Sequence, residues 1–301
     1  MKKLFWPVAL FIILSCHESK QLQSTNSVNN TSFDKEGHRG CRGLMPENTI
    51  AAMIHAIDLN VTTLEMDACI TRDNKVIISH DPYFNHDITT LPDGQYIDTN
   101  HEKDYKLYGM LYSETQRYDV GLKPNPRFPR QAKMAAHKPL LADLIDSVAE
   151  YCRKKNRPLP QFNIETKTTP AGDNILHPSP GVFVDLLVAV IQEKAIQDKV
   201  IIQSFDFRTL QYLHRQYPEY KTAMLIEITD GRSLAQQLAE LGFIPTIYSP
   251  AYSLINAELV KQCHEKNMRV IPWTVNDKKT IGLLIDMRVD GIITDYPDLF
   301  Q

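Results

Sequence analysis

The sequence predicts an α/β protein of the (β/α)₈ TIM-barrel class with a small insertion after the third strand. From about residue 36 onward, short β-branched or apolar runs alternate with longer runs of helical period. This alternation indicates parallel strands joined by helical crossovers. The number of repeats, over roughly 260 residues, favours a closed barrel over an open doubly wound sheet.

The first sixteen residues are predicted to be a signal peptide rather than part of the fold. Lys2 and Lys3 precede an apolar run over 4–14, which Ser15 and Cys16 follow. A charged start, a short apolar stretch and a small residue before the cut are typical of secretory signals. The run is shorter than the roughly 20 residues that span a bilayer. An exported protein is therefore expected.

The end of this segment predicts a lipid anchor. The tetrad over 13–16, Ile-Leu-Ser-Cys, resembles a bacterial lipobox, in which the cysteine is lipidated and becomes the mature N-terminus. We therefore expect a membrane-anchored lipoprotein, periplasmic or elsewhere in the cell envelope, with Cys16 as the lipidated residue. An ordinary cleaved signal with an incidental cysteine is the alternative. The polar stretch over 17–34 is expected to be a flexible tether.

The remaining chain, 35–301, has the composition of a globular domain. Hydrophobic residues make up 43% of the sequence and charged residues 23%, enough to bury a sizeable core. The net charge of -3 provides no reason to expect nucleic acid as a partner. The spacing of the remaining cysteines, Cys41, Cys69, Cys152 and Cys263, matches no zinc pattern. Although export permits disulfides, free buried thiols are the expectation for these four residues.

Nine strand-like runs compete for the eight strand positions of the barrel. They lie at 37–40, 62–70, 75–81, 161–167, 199–205, 220–228, 246–250, 269–275 and 291–297. Helical periodicity predicts helices over 50–60, 141–156, 181–196, 208–218, 232–243, 256–267 and 280–288. The sequence alone does not say which of the nine runs is the additional strand.

The stretch over 82–139 interrupts the alternation of strands and helices. It has no clear helical run but many tyrosines: Tyr83, Tyr96, Tyr105, Tyr108, Tyr112 and Tyr118. A connection of this length inside a compact domain is usually functional or disordered, and its aromatic content argues against disorder. We expect an insertion beside the barrel mouth whose tyrosines select the substrate head group. Packing of these tyrosines into a small core of the insertion itself is the alternative.

Ionisable residues recur at the predicted carboxyl ends of strands, where barrel enzymes hold their catalytic groups. Glu65 and Asp67 lie two residues apart on one strand and therefore share a face, as do Glu165 and Lys167. Three carboxylates that converge in a barrel mouth repel one another unless a cation lies between them. Hard oxygen ligands suit Mg²⁺ or Ca²⁺. A salt-bridge network with Arg39, Arg42 and Lys167 would account for the same residues.

Two histidines from separate strand ends, His38 and His80, are candidates for an acid and base pair. Arg39 and Lys167 add cations suited to an anionic, oxygen-rich group. Later strand ends carry Gln203, Glu227, Trp273, Asn276 and Asp295. A cation site, two histidines and two basic groups in one barrel mouth predict phosphoryl chemistry.

Eight segments in order carry a family resemblance. "GHRG", "PENT", "LEMD", "ISHD", "NIETK", "IIQSF", "WTVN" and "GIITDYP" together resemble the glycerophosphodiester phosphodiesterase family, here of a bacterial, exported lipoprotein type. The resemblance runs from about Gly37 to the C-terminus. It implies a TIM barrel that hydrolyses glycerophosphodiesters to glycerol 3-phosphate and an alcohol, with a divalent cation, Mg²⁺ or Ca²⁺.

The resemblance also implies a role for each matching residue. His38 and His80 would be the catalytic acid and base, and Glu65, Asp67 and Glu165 would ligate the metal. Arg39 and Lys167 would contact phosphate, Glu47 would support the site, and Trp273 would border the glycerol pocket. Two alternatives stay open: a phosphodiesterase for lysophospholipids or phosphoinositol head groups on the same barrel, and an inactive lipoprotein that only binds glycerophosphodiesters or a surface partner.

Overall fold

The computed structural model describes residues 1–3 and 32–301, and within the second range the chain forms a parallel β-barrel. Its parallel strands are β1 (Asp34–Gly37), β2 (Thr63–Ile70), β4 (Gln161–Thr166), β5 (Val200–Ser204), β6 (Lys221–Ile226), β7 (Ile247–Pro250), β8 (Arg269–Val270) and β9 (Gly291–Thr294). They follow the order β8-β7-β6-β5-β4-β2-β1-β9. The Asp290 N–H donates to the Val270 carbonyl (2.8 Å) and the Ile293 N–H to the Pro272 carbonyl (3.0 Å), which closes the ring. The predicted TIM-barrel class is confirmed.

Helices surround the barrel. They are α1 (Ile50–Asp58), α3 (Leu141–Lys154), α4 (Pro180–Glu193), α5 (Phe207–Gln216), α6 (Leu234–Leu241), α7 (Ala257–Glu265) and α8 (Lys278–Asp286); a short α2 (Tyr112–Thr115) lies in the insertion. Several begin at side chains that satisfy free backbone N–H groups. The Thr49 hydroxyl accepts from the Ala52 N–H before α1, and Ser233 forms a capping box with Gln236 before α6. Each predicted helix is present, with bounds that differ from the predicted ones by up to three residues.

The additional strand is β3 (Val76–Ile78), which pairs antiparallel with β2. The sequence left open which of the nine runs is the additional strand, and the structure identifies it as the run over 75–81. Only the residues 71–75 connect β2 to β3, whereas a parallel partner needs a crossover of a dozen or more residues. Because β3 runs back along β2, its end returns to the barrel mouth, and the Ser79 N–H donates to the Asp67 carbonyl at 2.8 Å. His80 therefore still reaches the mouth.

The insertion over 82–139 has a small hydrophobic core of its own. Phe84 stacks on Tyr118 with ring centroids 4.2 Å apart, and Tyr105 packs edge-on against Tyr118 at 6.0 Å. Leu107 and Val120 are buried in the same cluster, which also includes Cys69 and Ile77 of the β2–β3 hairpin. These contacts fit the alternative interpretation, in which the tyrosines pack the insertion itself.

Side-chain parity separates the outer and inner layers of the barrel. Leu64, Met66 and Ile164 are fully buried in the cluster beneath the helices, whereas Glu65, Asp67 and Glu165 point to the opposite side of their strands. Inside the barrel, an apolar layer lies at the level below the mouth: Ile201, Ala223, Ile247, Ile271 and Ile293. Two positions further along three of these strands, Gln203, Leu225 and Trp273 reach the mouth.

Two expectations concern the cysteines and the N-terminus. Cys41, Cys69, Cys152 and Cys263 are free and buried, as expected. Residues 4–16 of the predicted signal segment, which include Cys16, and all of the tether before Ser32 lie outside the described residues. β1 begins at Asp34, one residue before the expected start of the barrel domain. Within 1–3 and 32–301, no helix is both long and apolar enough to cross a membrane.

Candidate functional site

Three carboxylates converge at the carboxyl ends of two neighbouring strands. Asp67 on β2 lies directly beside Glu165 on β4 in the strand register, and Glu65 lies two residues earlier on the same face as Asp67. One oxygen atom from each of the three side chains lies within 4.8 Å of the others, and all three residues are buried. The convergence predicted from parity is confirmed. We call Glu65, Asp67 and Glu165 the acidic triad.

The surroundings of the acidic triad perturb the pKa of each of its three carboxyl groups. Burial, and then the neighbouring Asp67, raise the pKa of Glu65 well above its ordinary value. Burial likewise raises the pKa of Glu165, against the opposing effect of Lys167. Burial acts in the same sense on Asp67, but Lys167 and Arg39 prevail and hold its pKa well below the ordinary value. A divalent cation would stabilise the ionised form of all three groups.

Basic side chains also pack against the acidic triad, so the expected salt bridges exist as well. The Lys167 ammonium lies 2.8 Å from Glu165 and 3.6 Å from Asp67. Arg39 donates from Nη1 to Glu47 at 2.7 Å, and its Nε lies 3.4 Å from Asp67. Glu47 therefore holds the Arg39 guanidinium.

The backbone at Arg39 adds a further contact with the acidic triad. Arg39 has a φ of 50°, in the left-handed region, and its N–H donates to Glu65 Oε2 at 2.7 Å. Gly40 follows with a φ of 83°, and a Cβ at this position would lie 2.7 Å from the Ala52 backbone carbon. The glycine is thus required both by its backbone conformation and by the close approach of helix α1.

His38 lies at the end of β1 with its two ring nitrogens in different surroundings. Nδ1 lies 2.6 Å from Asp295 Oδ1, and Nε2 lies 3.9 Å from Glu65 Oε2. Burial, and then the positive charge of Arg42, lower the pKa of His38 to about 4. The ring is therefore neutral near pH 7. An Nδ1–H directed to Asp295 leaves the Nε2 lone pair facing the pocket.

His80 approaches the same pocket from the loop after β3. Its Nδ1 lies 3.2 Å from Asp81 Oδ1, and a third of its side chain is exposed. The loop is held by Ser79, whose hydroxyl donates to the Asp81 carbonyl at 2.6 Å and accepts from the buried Lys138 ammonium at 2.7 Å. Lys138 lies at the end of the insertion over 82–139, so it ties this end of the insertion to the loop that carries His80.

All of the catalytic and metal-ligating candidates meet around one pocket. His38, His80, Arg39, Lys167, Glu65 and Glu165 line it, and Asp67 joins Glu165 at its edge. Trp273 lines the opposite wall, edge-on to Phe205 with ring centroids 5.4 Å apart. Among the lining residues in the described part of the chain, none belongs to the insertion over 82–139.

Sequence reasoning assigned no role to four residues that support this site. Asp295 holds His38 and accepts from Arg42 Nε at 2.6 Å; Asn48 donates to Asp67 at 2.8 Å; Gln203 donates to Glu65 at 2.8 Å. Lys138 is the fourth. The strand-end rule identified Asp295 and Gln203 as residues of the mouth but gave neither a specific role. Lys138 lies in a polar loop next to a proline, and nothing in its sequence context indicates burial.

The chain resembles proteins of known family over nearly its whole described length. Residues 38–299 match the glycerophosphoryl diester phosphodiesterase family. A glycerophosphodiester phosphodiesterase of Bacillus subtilis (strain 168) is 28% identical over 273 residues, which cover 88% of this chain and 84% of that protein.

Solved structures agree with this match. One solved structure is of a protein from Silicibacter pomeroyi DSS-3 that is provisionally named a glycerophosphoryl diester phosphodiesterase. It superposes on this chain with a TM-score of 0.80 at 29% identity, and the match covers 90% of this chain and 92% of that one. A phosphodiesterase of Oleispira antarctica, solved in complex with the product sn-glycerol-3-phosphate, has a TM-score of 0.69 at 20% identity over 88% and 94% of the two chains. The second similarity concerns the fold alone.

The buried Arg39 provides a test of the electrostatics of the site. Arg39→Met removes the guanidinium that compensates Glu47 and Asp67, and an uncompensated buried charge typically costs about 3–5 kcal/mol. We expect the free energy of unfolding, measured by urea denaturation in the presence of chelator, to fall by at least about 3 kcal/mol.

The matched control is Arg72→Met. Arg72 pairs with Glu114 at 3.2 Å, but both side chains are about half exposed. Exposed ion pairs contribute less than about 1 kcal/mol, so this variant should unfold almost like the wild type. Equal losses in the two variants would contradict the importance that we assign to the buried charge cluster.

Proposed function

Because the chain belongs to the glycerophosphoryl diester phosphodiesterase family, and is an enzyme of that type, we propose that it hydrolyses glycerophosphodiesters to glycerol 3-phosphate and an alcohol by acid and base catalysis with a divalent cation. One observation carries the proposal. His38 and His80 line one pocket together with two members of the acidic triad and the basic groups Arg39 and Lys167. This inventory suits transfer of a phosphoryl group.

The surroundings of the two histidines suggest different roles. His38 is neutral, since its pKa is lowered to about 4, and Asp295 orients its ring through Nδ1. Its Nε2 is then free to accept the proton of the substrate's glycerol 2-hydroxyl, whose oxygen attacks phosphorus. The alcohol leaves, and water then opens the resulting cyclic phosphate. His80 is more exposed and contacts Asp81. In our proposal His80 donates a proton to the alcohol oxygen that leaves.

Glu65, Asp67 and Glu165 would hold the cation. Their donor set is all oxygen, as Mg²⁺ and Ca²⁺ prefer, and the raised pKa values of Glu65 and Glu165 mark a site where positive charge is favourable. When bound, the cation would stabilise negative charge on the phosphoryl oxygens. Lys167 lies beside the same carboxylates and lines the pocket, so its ammonium would contact a phosphoryl oxygen there.

The first test is the reaction itself. The wild-type protein should release glycerol 3-phosphate from glycerophosphoglycerol, and chelator should remove this activity. His38→Ala and His80→Ala should each lower kcat by roughly 10²–10⁴, the usual contribution of one acid or base. Circular dichroism and thermal melting would verify that both variants fold.

Two outcomes would contradict the proposal. Release of lysophosphatidic acid from a lysophospholipid, without turnover of glycerophosphodiesters, would indicate the alternative phosphodiesterase. Binding of diesters with no turnover under any condition would indicate an inactive binding protein. Full wild-type activity in chelator would specifically exclude the role of the cation.

We also propose that the enzyme is a lipoprotein of the cell envelope, anchored through Cys16. The support is in the sequence: the charged start, the short apolar run and the tetrad that ends at Cys16. A single acyl chain binds membranes only weakly, so stable anchoring requires at least two chains.

Cys16→Ala tests the anchor in a bacterial host that processes lipoproteins. We expect the wild type in the membrane fraction and the variant either released as active soluble protein or left with its signal uncleaved. Cys41→Ala, at a buried cysteine of the barrel domain, is the control and should fractionate as the wild type does. If Cys16→Ala also fractionates as the wild type, the lipid anchor is excluded.

A further inference from the structure

A buried carboxyl group lies inside the barrel, below the residues that line the pocket. Glu36 on β1 is fully buried and comes two positions before His38, so both side chains face the barrel interior. It lies beside Ile293 in the strand register, in a layer whose other members, such as Ile201 and Ile247, are apolar. Acidic side chains are almost never fully buried without a partner. The contacts of Glu36 therefore indicate its role.

A chain of hydrogen bonds leads from Glu36 to the acidic triad. Asn163 Nδ2 donates to Glu36 Oε2 at 2.9 Å and to Gln203 Oε1 at 3.1 Å. Gln203 Nε2 in turn donates to Glu65 Oε1 at 2.8 Å. Each of these four residues is at most 2% exposed, so bulk water does not compete for the bonds.

The direction of these bonds is set at the Glu36 end. An acceptor oxygen on Glu36 requires Asn163 to present its amide N–H groups, and Asn163 then donates to the Gln203 carbonyl. The Gln203 amide is thereby turned with its N–H groups toward Glu65. The second oxygen of Glu65, Oε2, accepts from the Arg39 N–H at 2.7 Å. The Glu65 carboxylate is therefore held at both of its oxygens.

The surroundings of Glu36 favour the protonated carboxyl group. Burial, and then the charge of Asp34, raise the pKa of Glu36 to about 8, so the group carries a proton near pH 7. Two buried acceptor atoms, Glu36 Oε1 and Asn163 Oδ1, have no hydrogen-bond partner. A proton on Glu36 Oε1 turns one of these acceptors into a donor, while Oε2 still accepts from Asn163.

We propose that Glu36 is a positioning residue for the cation site. Through the two amides it directs an N–H group to Glu65 and keeps that carboxylate in place for the cation. Without Glu36, the Asn163 amide is free to turn, and Gln203 can then present its carbonyl oxygen to Glu65. A buried carboxylate oxygen that loses its donor in this way is destabilised. This inference rests on the proposed function, and within it on cation binding by the acidic triad.

The test is the affinity for Mg²⁺ and for Ca²⁺, measured by isothermal titration into chelator-treated protein. Glu36→Leu removes the acceptor at the start of the chain, and Gln203→Met removes the donor at its end. We expect each variant to bind the ion on the order of tenfold more weakly, since hydrogen-bond partners of metal ligands typically contribute that much. The double variant should bind no more weakly than Gln203→Met alone, because Glu36 acts through Gln203.

Two control variants separate this role from a general effect on the barrel. Glu36→Gln keeps an acceptor oxygen and supplies a donor, as the protonated carboxyl does, and should retain the wild-type affinity. Ile247→Ala leaves a cavity in the same inner layer, so it should lower the free energy of unfolding without weakening ion binding. Circular dichroism verifies that the variants fold. If Glu36→Leu does not fold, Asn163→Leu interrupts the same chain and replaces it in the comparison.

The outcomes distinguish this inference from the proposed function. If the wild type binds neither ion, the cation-dependent function fails and the inference fails with it. If the wild type binds the ion and Glu36→Leu binds it equally well, the inference alone is overturned. Additive losses in the double variant would show that Glu36 acts independently of Gln203, and equal weakening in Ile247→Ala would show a general effect; either result overturns the inference. Turnover of glycerophosphoglycerol by the wild type, measured in parallel, tests the proposed function separately.

Discussion

The organisation of the barrel mouth depends on one constraint: three carboxylates are buried within reach of one another. Glu65, Asp67 and Glu165 each offer an oxygen within 4.8 Å of the others, in surroundings that disfavour negative charge. The basic groups in direct contact with the three carboxylates partly compensate their negative charge. Lys167 approaches two of the carboxylates, and Arg39 contributes both its guanidinium and its backbone N–H.

The same constraint connects the mouth to the rest of the molecule. Glu47 holds Arg39, and Asn48 donates a hydrogen bond to Asp67. The loop before helix α1 is therefore connected to the acidic triad through side-chain contacts. On the other side, the antiparallel β3 returns the chain to Asp67 and delivers His80. His38 and His80 thus lie on segments that also contact residues of the acidic triad.

Much of this arrangement follows from short-range regularities of the sequence. Alternation of strands and helices predicted the barrel, and two-residue parity predicted that Glu65, Asp67 and Glu165 share the inner face. Which of the nine strand-like runs is the additional one stayed open, because a short apolar run looks alike in parallel and antiparallel pairing; only the brief connection over 71–75 shows that β3 pairs antiparallel with β2.

The unpredicted features depend on contacts between distant parts of the chain. Asp295 meets His38 across 257 positions, and Lys138 reaches Ser79 across 59. Neither pairing leaves a local periodic signal. The tyrosines of the insertion are a third case, since Phe84 and Tyr118 pack on each other instead of facing the pocket. Composition identified the insertion as ordered, but only the packing of its side chains shows which way they face.

The central claim is that the acidic triad is a cation site and not only a salt-bridge network. Isothermal titration of Mg²⁺ and of Ca²⁺ into chelator-treated protein tests it directly. We expect one bound ion per chain in the wild type, and an affinity at least about tenfold weaker in Glu165→Gln, since even changes outside the ligand shell typically cost that much. Glu227→Gln, which removes a pocket carboxylate outside the triad, should bind the ion as the wild type does. Absence of binding to the wild type, or equal affinity in Glu165→Gln, would contradict the claim.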